Sequence, residues 1–135
     1  MLKIRGVRGA ISAEANTCEA IWAAVDTLMR AIIAANALEE DDIASILFST
    51  TPDLTACYPA KAVRDMGWTN VAMLGFQEMG VPDAVPYCIR VLIHWNTETS
   101  MQTIKHIYLG RAEVLRPDWK NEPAESLDST SQTEK

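Results

Sequence analysis

One segment of this chain, CIRVLIHW at residues 88–95, reads as a buried strand with a single charge, Arg90, at its centre. Side chains alternate between the two faces of a strand, so this arginine lies on one face only. The residues that share its face are Cys88, Leu92 and His94. A buried guanidinium is unfavourable unless a carboxylate or an anionic ligand pairs with it. Two interpretations are therefore open: a structural ion pair with a carboxylate such as Glu78, and a binding site for an anion.

The rest of the sequence predicts one long helix and several short strands. The long helix begins at Asn16, its expected N-cap, and ends near Asn36, with apolar residues at helical spacing between them. Further helices are predicted after the acidic run 39–42 and at 59–66, where Pro59 suits a first helical position. Strands are predicted at 2–8, 46–48, 71–74, 87–95 and 104–109, the last continuing through 112–115.

The first strand contains a second arginine, which is predicted to lie on the same face as the apolar residues. Arg8 shares the parity of Leu2 and Ile4, whereas Arg5 follows Lys3. The pattern therefore predicts that Arg8 lies at the inner end of the strand and that Arg5 points outward. The alternative is that Arg8 only precedes the turn of the chain at Gly9.

The order of these elements predicts a fold class: a compact α/β domain with a mixed sheet of about five strands. A length of 135 residues with 48% hydrophobic residues fits a single domain. Helices cover one side of such a sheet sparsely, which suggests an oligomer that covers the exposed face. The domain is expected to span 1–119, followed by a polar tail at 120–135 that is too poor in apolar residues to order itself.

The composition argues against several function classes. A net charge of −6 argues against a nucleic-acid-binding protein, and no apolar run is long enough for a membrane helix or a signal peptide. The three cysteines, Cys18, Cys57 and Cys88, form no metal-ligand pattern and favour a reducing cytoplasm. His94 and His106 are interpreted as packed or surface residues. Since no nucleophile or metal signature is present, any chemistry must come from positioning and electrostatics.

A cationic pair on the second helix is the other candidate for anion binding. Lys61 and Arg64 lie about one turn apart on one face, with Tyr58 before them. The plain alternative is solvated surface charge.

Seven short motifs occur in an order and at a spacing that resemble a known family. They are RGVRGA (5–10), STTPDL (49–54), YPAKAVR (58–64), QEM (77–79), CIRV (88–91), HIYL (106–109) and VLRPD (114–118). Together they resemble the monofunctional chorismate mutases of the Bacillus type, over residues 1–119. The resemblance implies a homotrimer with a pseudo-α/β-barrel core and active sites at subunit interfaces. It also implies the rearrangement of chorismate to prephenate without a cofactor or a metal, in the synthesis of phenylalanine and tyrosine.

The resemblance further implies roles for individual residues. Arg90 would donate to the breaking ether oxygen, and Glu78 would accept from the ring hydroxyl and orient Arg90. Arg8 and Tyr108 would hold a substrate carboxylate. The neighbouring subunit would contribute Tyr58, Lys61 and Arg64. The remaining substrate-binding positions implied are Leu74, Gly75, Leu115 and Arg116.

Two positions depart from the family pattern, and one segment is implied to move. The family often has cysteine at the position of Gly75 and usually phenylalanine at that of Tyr58. Arg116 would close over the site with the tail when ligand binds. Two other functions remain as alternatives: a non-catalytic trimer that binds a small anion on the same scaffold, and a deaminase of reactive imines on a similar trimeric barrel.

Overall fold

The fold is a mixed five-stranded sheet with one long helix packed on one face. A computed structural model describes residues 1–116 of the chain. The strands are β1 Lys3–Ser12, β2 Ile43–Thr50, β3 Ala72–Gln77, β4 Cys88–Thr97 and β5 Ile107–Tyr108. The helices are α1 Cys18–Asn36 and α2 Ala60–Asp65, with short 3-10 turns at Glu40–Asp42, Met101–Thr103 and Gly110–Leu115. The sheet order is β3-β2-β4-β1-β5, which confirms the predicted α/β class and strand number.

Strand β4, which carries the CIRVLIHW segment, is the centre of the sheet. It pairs antiparallel with β1 on one side and with β2 on the other, while β3 and β5 add parallel strands at the two edges. Its buried residues Ile89, Val91 and Ile93 belong to the main core, which also contains the apolar face of α1. Arg90 lies on the opposite face, as the alternation predicts.

Helix α1 ends where the sequence predicted but begins with a different cap. Thr17, not Asn16, is the N-cap, and its hydroxyl accepts a hydrogen bond from the Ala20 amide at 3.1 Å. The Asn16 side chain is instead used over a long sequence distance: its Oδ1 accepts from the amides of Thr55 and Ala56 at 2.9 and 3.0 Å. Both residue types can cap a helix. The contact of Asn16 with the distant loop therefore decides that Thr17 is the cap.

The prediction of which face of β1 packs against the core is wrong. Val7 and Ile11 are buried in the core under α1, whereas Ile4 and Leu2 are exposed, by 63% and 65% of their surface. Arg8 is half-buried on the face of Ile4, away from the helix. The face of the sheet that bears Arg8 also bears apolar side chains. The alternation of apolar residues alone therefore does not identify which face of the sheet the helix covers.

The end of the described chain also differs from the prediction. The strand predicted at 104–109 is reduced to Ile107–Tyr108, and the predicted strand at 112–115 is a 3-10 turn. Gly110 has φ +58, a left-handed conformation that interrupts the strand. The Arg111 amide then donates to the Ser12 hydroxyl at 3.1 Å, which folds the turn back onto β1.

Two of the three cysteines are joined, contrary to the expectation of free thiols in a reducing compartment. Cys18 and Cys57 form a disulfide, with their Cα atoms 5.2 Å apart, while Cys88 is free and buried. No helix within residues 1–116 has the length and apolar character needed to cross a membrane. The predicted end of the domain at 119 and the polar tail at 120–135 lie outside the described residues.

Candidate active site

Arg90 lies at the middle of the sheet on the face without helices. Its registered neighbours are Ala10 on β1 and Ser49 on β2. The side chain is 28% exposed, yet its Nε atom is buried and has no hydrogen-bond acceptor within residues 1–116. A buried donor without an acceptor is costly in a folded protein. The exposed part of the guanidinium can therefore take an acceptor from a ligand.

Glu78 follows β3 and points at the same place. Its amide donates to the Thr50 carbonyl at 2.8 Å, which fixes its backbone beside the end of β2. Its Oε1 accepts a hydrogen bond from the Ser49 hydroxyl at 2.6 Å and lies 3.8 Å from Arg90 Nε. At this distance the two groups attract each other electrostatically without a hydrogen bond between them. The pair is thus loose, with room on both groups for a further partner.

The electrostatics keep Glu78 ionised. The hydrogen bond from Ser49 lowers the pKa of this carboxyl below its usual value, and the positive charge of Arg90 acts in the same direction, against the opposing effect of burial. Burial, in contrast, raises the pKa of the neighbouring Cys88 thiol. Cys88 is therefore a neutral thiol at neutral pH, while Glu78 is a carboxylate acceptor.

Arg8 brings a second guanidinium to this face. Its carbon Cζ lies 5.9 Å from the centre of the Tyr108 ring, and Tyr108 is fully buried in a small cluster with Ala10, Cys88 and Ala112. The Arg8 amide donates to His106 Nδ1 at 3.0 Å. Burial lowers the pKa of His106, and the charges of Arg116 and Arg8 lower it further. A neutral imidazole suits its role as an acceptor.

Arg8, Glu78 and Arg90 line a small open cavity of about 220 Å³. Two guanidiniums and one carboxylate face it, so its net charge is positive on a protein whose overall charge is −6. The lining residues are Arg8, Leu47, Ser49, Phe76, Glu78, Arg90, Val91 and Leu92. Such a cavity suits a small anionic molecule with at least one further polar group.

Four other predicted site residues lie around a second, larger cavity of about 530 Å³. Tyr58, Lys61, Arg64 and Gly75 line it, and Phe76 is the one residue that lines both cavities. Tyr58 is 82% exposed. The ammonium of Lys61 lies 4.7 Å from the centre of the Trp22 ring and bonds the Asp65 carboxylate at 2.8 Å. One chain therefore does not bring this cationic helix to Arg90.

Four predicted residues, Tyr108, Leu74, Leu115 and Arg116, line neither cavity. Leu74 is 64% exposed on β3, on the open side of the sheet. Leu115 packs on the Tyr108 cluster, and Arg116 is the last described residue. At Gly75, which departs from the family pattern, an added Cβ would lie 3.8 Å from the Phe48 carbonyl oxygen, an ordinary contact.

Three residues that help to build these cavities were not among the predicted site residues. Ser49 holds Glu78, Phe76 lines both cavities, and Trp22 contacts Lys61. Ser49 lies within the STTPDL motif, which is the signal that could have drawn attention to it. No set of three or more His, Cys, Asp or Glu residues in the part of the chain that the structure describes could hold a metal ion.

Comparison with known proteins identifies the family. Residues 4–119 match the family model described as chorismate mutase type I. The chain belongs to the type I chorismate mutases. It is 41% identical to chorismate mutase AroH of Thermus thermophilus over 85% of this chain and 95% of that protein. It is 42% identical to chorismate mutase AroH of Bacillus subtilis (strain 168), over 87% of this chain and 93% of that one.

A solved structure agrees with this assignment. The chorismate mutase from Clostridium thermocellum is 44% identical and superposes with a TM-score of 0.80, over 82% of this chain and 98% of that one. The resemblance noted from the short motifs is therefore confirmed at the level of the family, over nearly the same range of residues.

Proposed function

We propose that this type I chorismate mutase converts chorismate to prephenate by an intramolecular Claisen rearrangement, as part of aromatic amino acid biosynthesis. The observation that carries the proposal is the Arg90 side chain, which lines a positively charged cavity and whose Nε has no acceptor within the described residues. The relatives named chorismate mutase support the choice of substrate. Neither the non-catalytic alternative nor the imine deaminase has such support.

The reaction breaks an ether C–O bond and forms a C–C bond within one molecule, so no group on the protein has to accept or supply a proton. Negative charge grows on the ether oxygen as the bond breaks. A fixed guanidinium donor at that oxygen stabilises the transition state more than the ground state. We assign this role to Arg90, which the loose pair with Glu78 orients without occupying Nε.

The other cations would hold the substrate in its reactive shape. Chorismate is a dianion, and restraint of its two carboxylates brings the reacting carbons together. Arg8 and Tyr108 would bind one carboxylate, and ionised Glu78 would accept from the ring hydroxyl. Leu115 and Arg116 would close over the ligand, with Arg116 adding a positive charge at the edge.

We further propose that the complete site forms between subunits of a homotrimer. The 220 Å³ cavity holds Arg8, Glu78 and Arg90, while Tyr58, Lys61 and Arg64 line the separate 530 Å³ cavity. Exposed apolar side chains on the open sheet face, among them Ile4, Leu74 and Phe76, favour contact with another chain. In such a trimer, Tyr58, Lys61, Arg64, Leu74 and Gly75 would line the substrate-binding site with the Arg90 cavity of a neighbour. A cytoplasmic location follows from the proposed biosynthetic role.

The direct test is an assay of chorismate loss with prephenate identified as the product. Arg90→Ala should reduce kcat/KM by about 10²–10³ or more, because a preorganised donor is removed. Arg30→Ala is the matched control, since Arg30 is an exposed arginine that pairs with Asp26 on α1. It should leave kcat/KM unchanged. Near-normal turnover by Arg90→Ala, or ligand binding without prephenate formation by the natural protein, would reject the proposal.

A further inference from the structure

The Cys18–Cys57 disulfide lies at the larger cavity rather than in the core. Cys57 lines that cavity beside Tyr58, and both disulfide cysteines are partly exposed. The bond crosses 39 residues and joins the first residue of α1 to the loop that leads into α2. It therefore fastens the part of the chain that carries Tyr58, Lys61 and Arg64.

Noncovalent contacts fasten the same loop at two further points. Asn16 accepts from the amides of Thr55 and Ala56, and its own amide group donates to the Thr55 hydroxyl at 2.9 Å. One turn beyond Cys18, the Trp22 indole N–H donates to the Tyr58 carbonyl at 3.0 Å. The loop therefore retains several attachments to α1 when the disulfide is absent, which allows the bond to open without unfolding the domain.

The backbone positions of Cys18 and Cys57 allow them to pass between two free thiols and a disulfide. A Cα–Cα distance of 5.2 Å lies within the range for disulfides, so the sulfurs can meet without movement of the backbone. Cys88 is the one other cysteine, and it is buried in a separate cluster behind Arg90. A small thiol reagent in solution can therefore reach the pair at positions 18 and 57 while Cys88 is shielded.

We propose that Cys18 and Cys57 are a reversible thiol–disulfide pair that changes how firmly the Tyr58–Lys61–Arg64 wall is held. The oxidant is a low-molecular-weight disulfide such as oxidised glutathione. One thiolate attacks its S–S bond, forms a mixed disulfide and releases one thiol; the second protein thiolate then displaces the other thiol and closes the Cys18–Cys57 bond. The protein loses two electrons and two protons, and two molecules of the small thiol are formed.

The consequence for the site rests on the proposed function. In the disulfide form the wall is already ordered before the substrate arrives. In the dithiol form some of this order must be gained on binding, and ordering of one such side chain weakens binding by about two- to tenfold. We therefore expect KM for chorismate to rise by about that factor on reduction. The value of kcat should change little, because Arg90 lines the other cavity, away from the disulfide.

The first experiment counts thiols and needs no activity. The full-length protein is incubated with oxidised glutathione or with dithiothreitol, then denatured and alkylated. Mass spectrometry should find one alkylated cysteine, Cys88, after oxidation and three after reduction, with peptides containing residues 18 and 57 joined in the oxidised sample. Thiols that stay free, stable glutathione adducts on both cysteines, or links between chains would overturn the proposal.

The second experiment measures the wall itself by hydrogen exchange in the two redox states. The amides of residues 54–58 and 60 should exchange faster in the reduced protein, while those of β4 should not change. The melting temperature should fall by about 10 °C on reduction, the usual scale for loss of a disulfide in a domain of this size. Equal exchange of residues 54–58 and 60 in the two forms would reject the link between the bond and the wall.

The matched variant is Cys18→Ser/Cys57→Ser, which should have the KM of the reduced protein under both conditions. A redox dependence of KM that persists in this variant would overturn the proposal. The two proposals fail separately. If the bond forms and alters exchange but neither form consumes chorismate, the enzymatic function fails and the thiol pair stands; if chorismate is consumed but no bond forms, the reverse holds.

Discussion

At the scale of single residues, Ser49 decides the state of Glu78. Its 2.6 Å hydrogen bond is the largest cause of the lowered pKa of this carboxyl, ahead of the charge of Arg90. A carboxyl with a lowered pKa in the fold stays ionised as the pH falls, and it is protonated only below its usual range. Ser49 is also in register with Arg90, so one hydroxyl holds the acceptor beside the donor.

We predict that Ser49→Ala raises the pKa of Glu78 toward its usual value. The acid limb of the profile of kcat/KM against pH should then move to higher pH, and kcat/KM at neutral pH should fall about tenfold, the effect of one lost hydrogen bond. The matched control is Ser45→Ala on the same strand, since Ser45 bonds His94 and not Glu78. An acid limb that is the same in both variants would show that Ser49 does not position Glu78.

Arg90→Lys tests geometry with the charge retained. An ammonium is a point charge on a flexible stem and cannot reproduce the fixed directions of a guanidinium. We expect kcat to fall by about 10²–10³, as for loss of a preorganised donor, with a smaller change in KM. Steady-state kinetics measure both constants, and circular dichroism checks the fold. Retention of most of kcat would mean that positive charge alone is sufficient at this position.

At the scale of elements, β1 contributes both to the close packing of the core and to the candidate site. Gly9 follows Arg8, and an added Cβ there would lie 2.6 Å from Ile32 Cδ1 of α1 and 3.1 Å from the Ile107 carbonyl oxygen of β5. The Ile32 side chain is fully buried in the core, so it and the backbone of β5 would both have to shift. Gly9 thus allows the helix and the edge strand to approach β1 together.

Gly9→Ala should therefore destabilise the protein by about 1–3 kcal/mol, the usual cost of overpacking. Urea denaturation at a fixed chain concentration measures it. Gly75→Ala makes the same change in another strand, where the nearest atom to the new Cβ is 3.8 Å away, and it should leave the unfolding midpoint nearly unchanged. Equal midpoints for the two variants would contradict this account of the packing around β1.

Local sequence patterns predicted the elements well where one periodicity dominates. The alternation in β4 placed Arg90 on the correct face, and the helical spacing predicted the end of α1 at Asn36. The failures have a shared cause in contacts that are distant in sequence. Asn16 was diverted from its cap by the loop at 55–56, and the pairing of Cys18 with Cys57 depends on the same approach of α1 to that loop.

The site was predicted in parts for a related reason. The strand pattern of β4 and the motif resemblance both pointed to Arg90 and Glu78, but the strand pattern of β1 put Arg8 on the wrong side of the sheet. Leu2 and Ile4 are apolar on a face that is open in a single chain. A pattern rule assumes that apolar residues face the chain's own core, and it fails where a second chain is the expected cover.

At the scale of the whole molecule, the division of the predicted site between two cavities leads to a test of the trimer. One variant carries Arg90→Ala, which removes the donor. The other carries Lys61→Ala and Arg64→Ala, which weakens the wall. Each variant alone should have little activity at low chorismate concentration, because every site built from its chains has the same defect.

Mixed trimers should recover activity if each site takes Arg90 from one chain and its wall from a neighbour. In a trimer that contains both variants, about one site in three combines the intact Arg90 of one variant with the intact wall of the other, so about a third of natural activity should return in the fraction that carries both tags. Co-expression with two affinity tags and measurement of the doubly purified fraction provide the test, with light scattering to give the mass of a trimer. If each chain built its own complete site, every site in the mixture would keep one defect, and no recovery would occur at any ratio of the two chains.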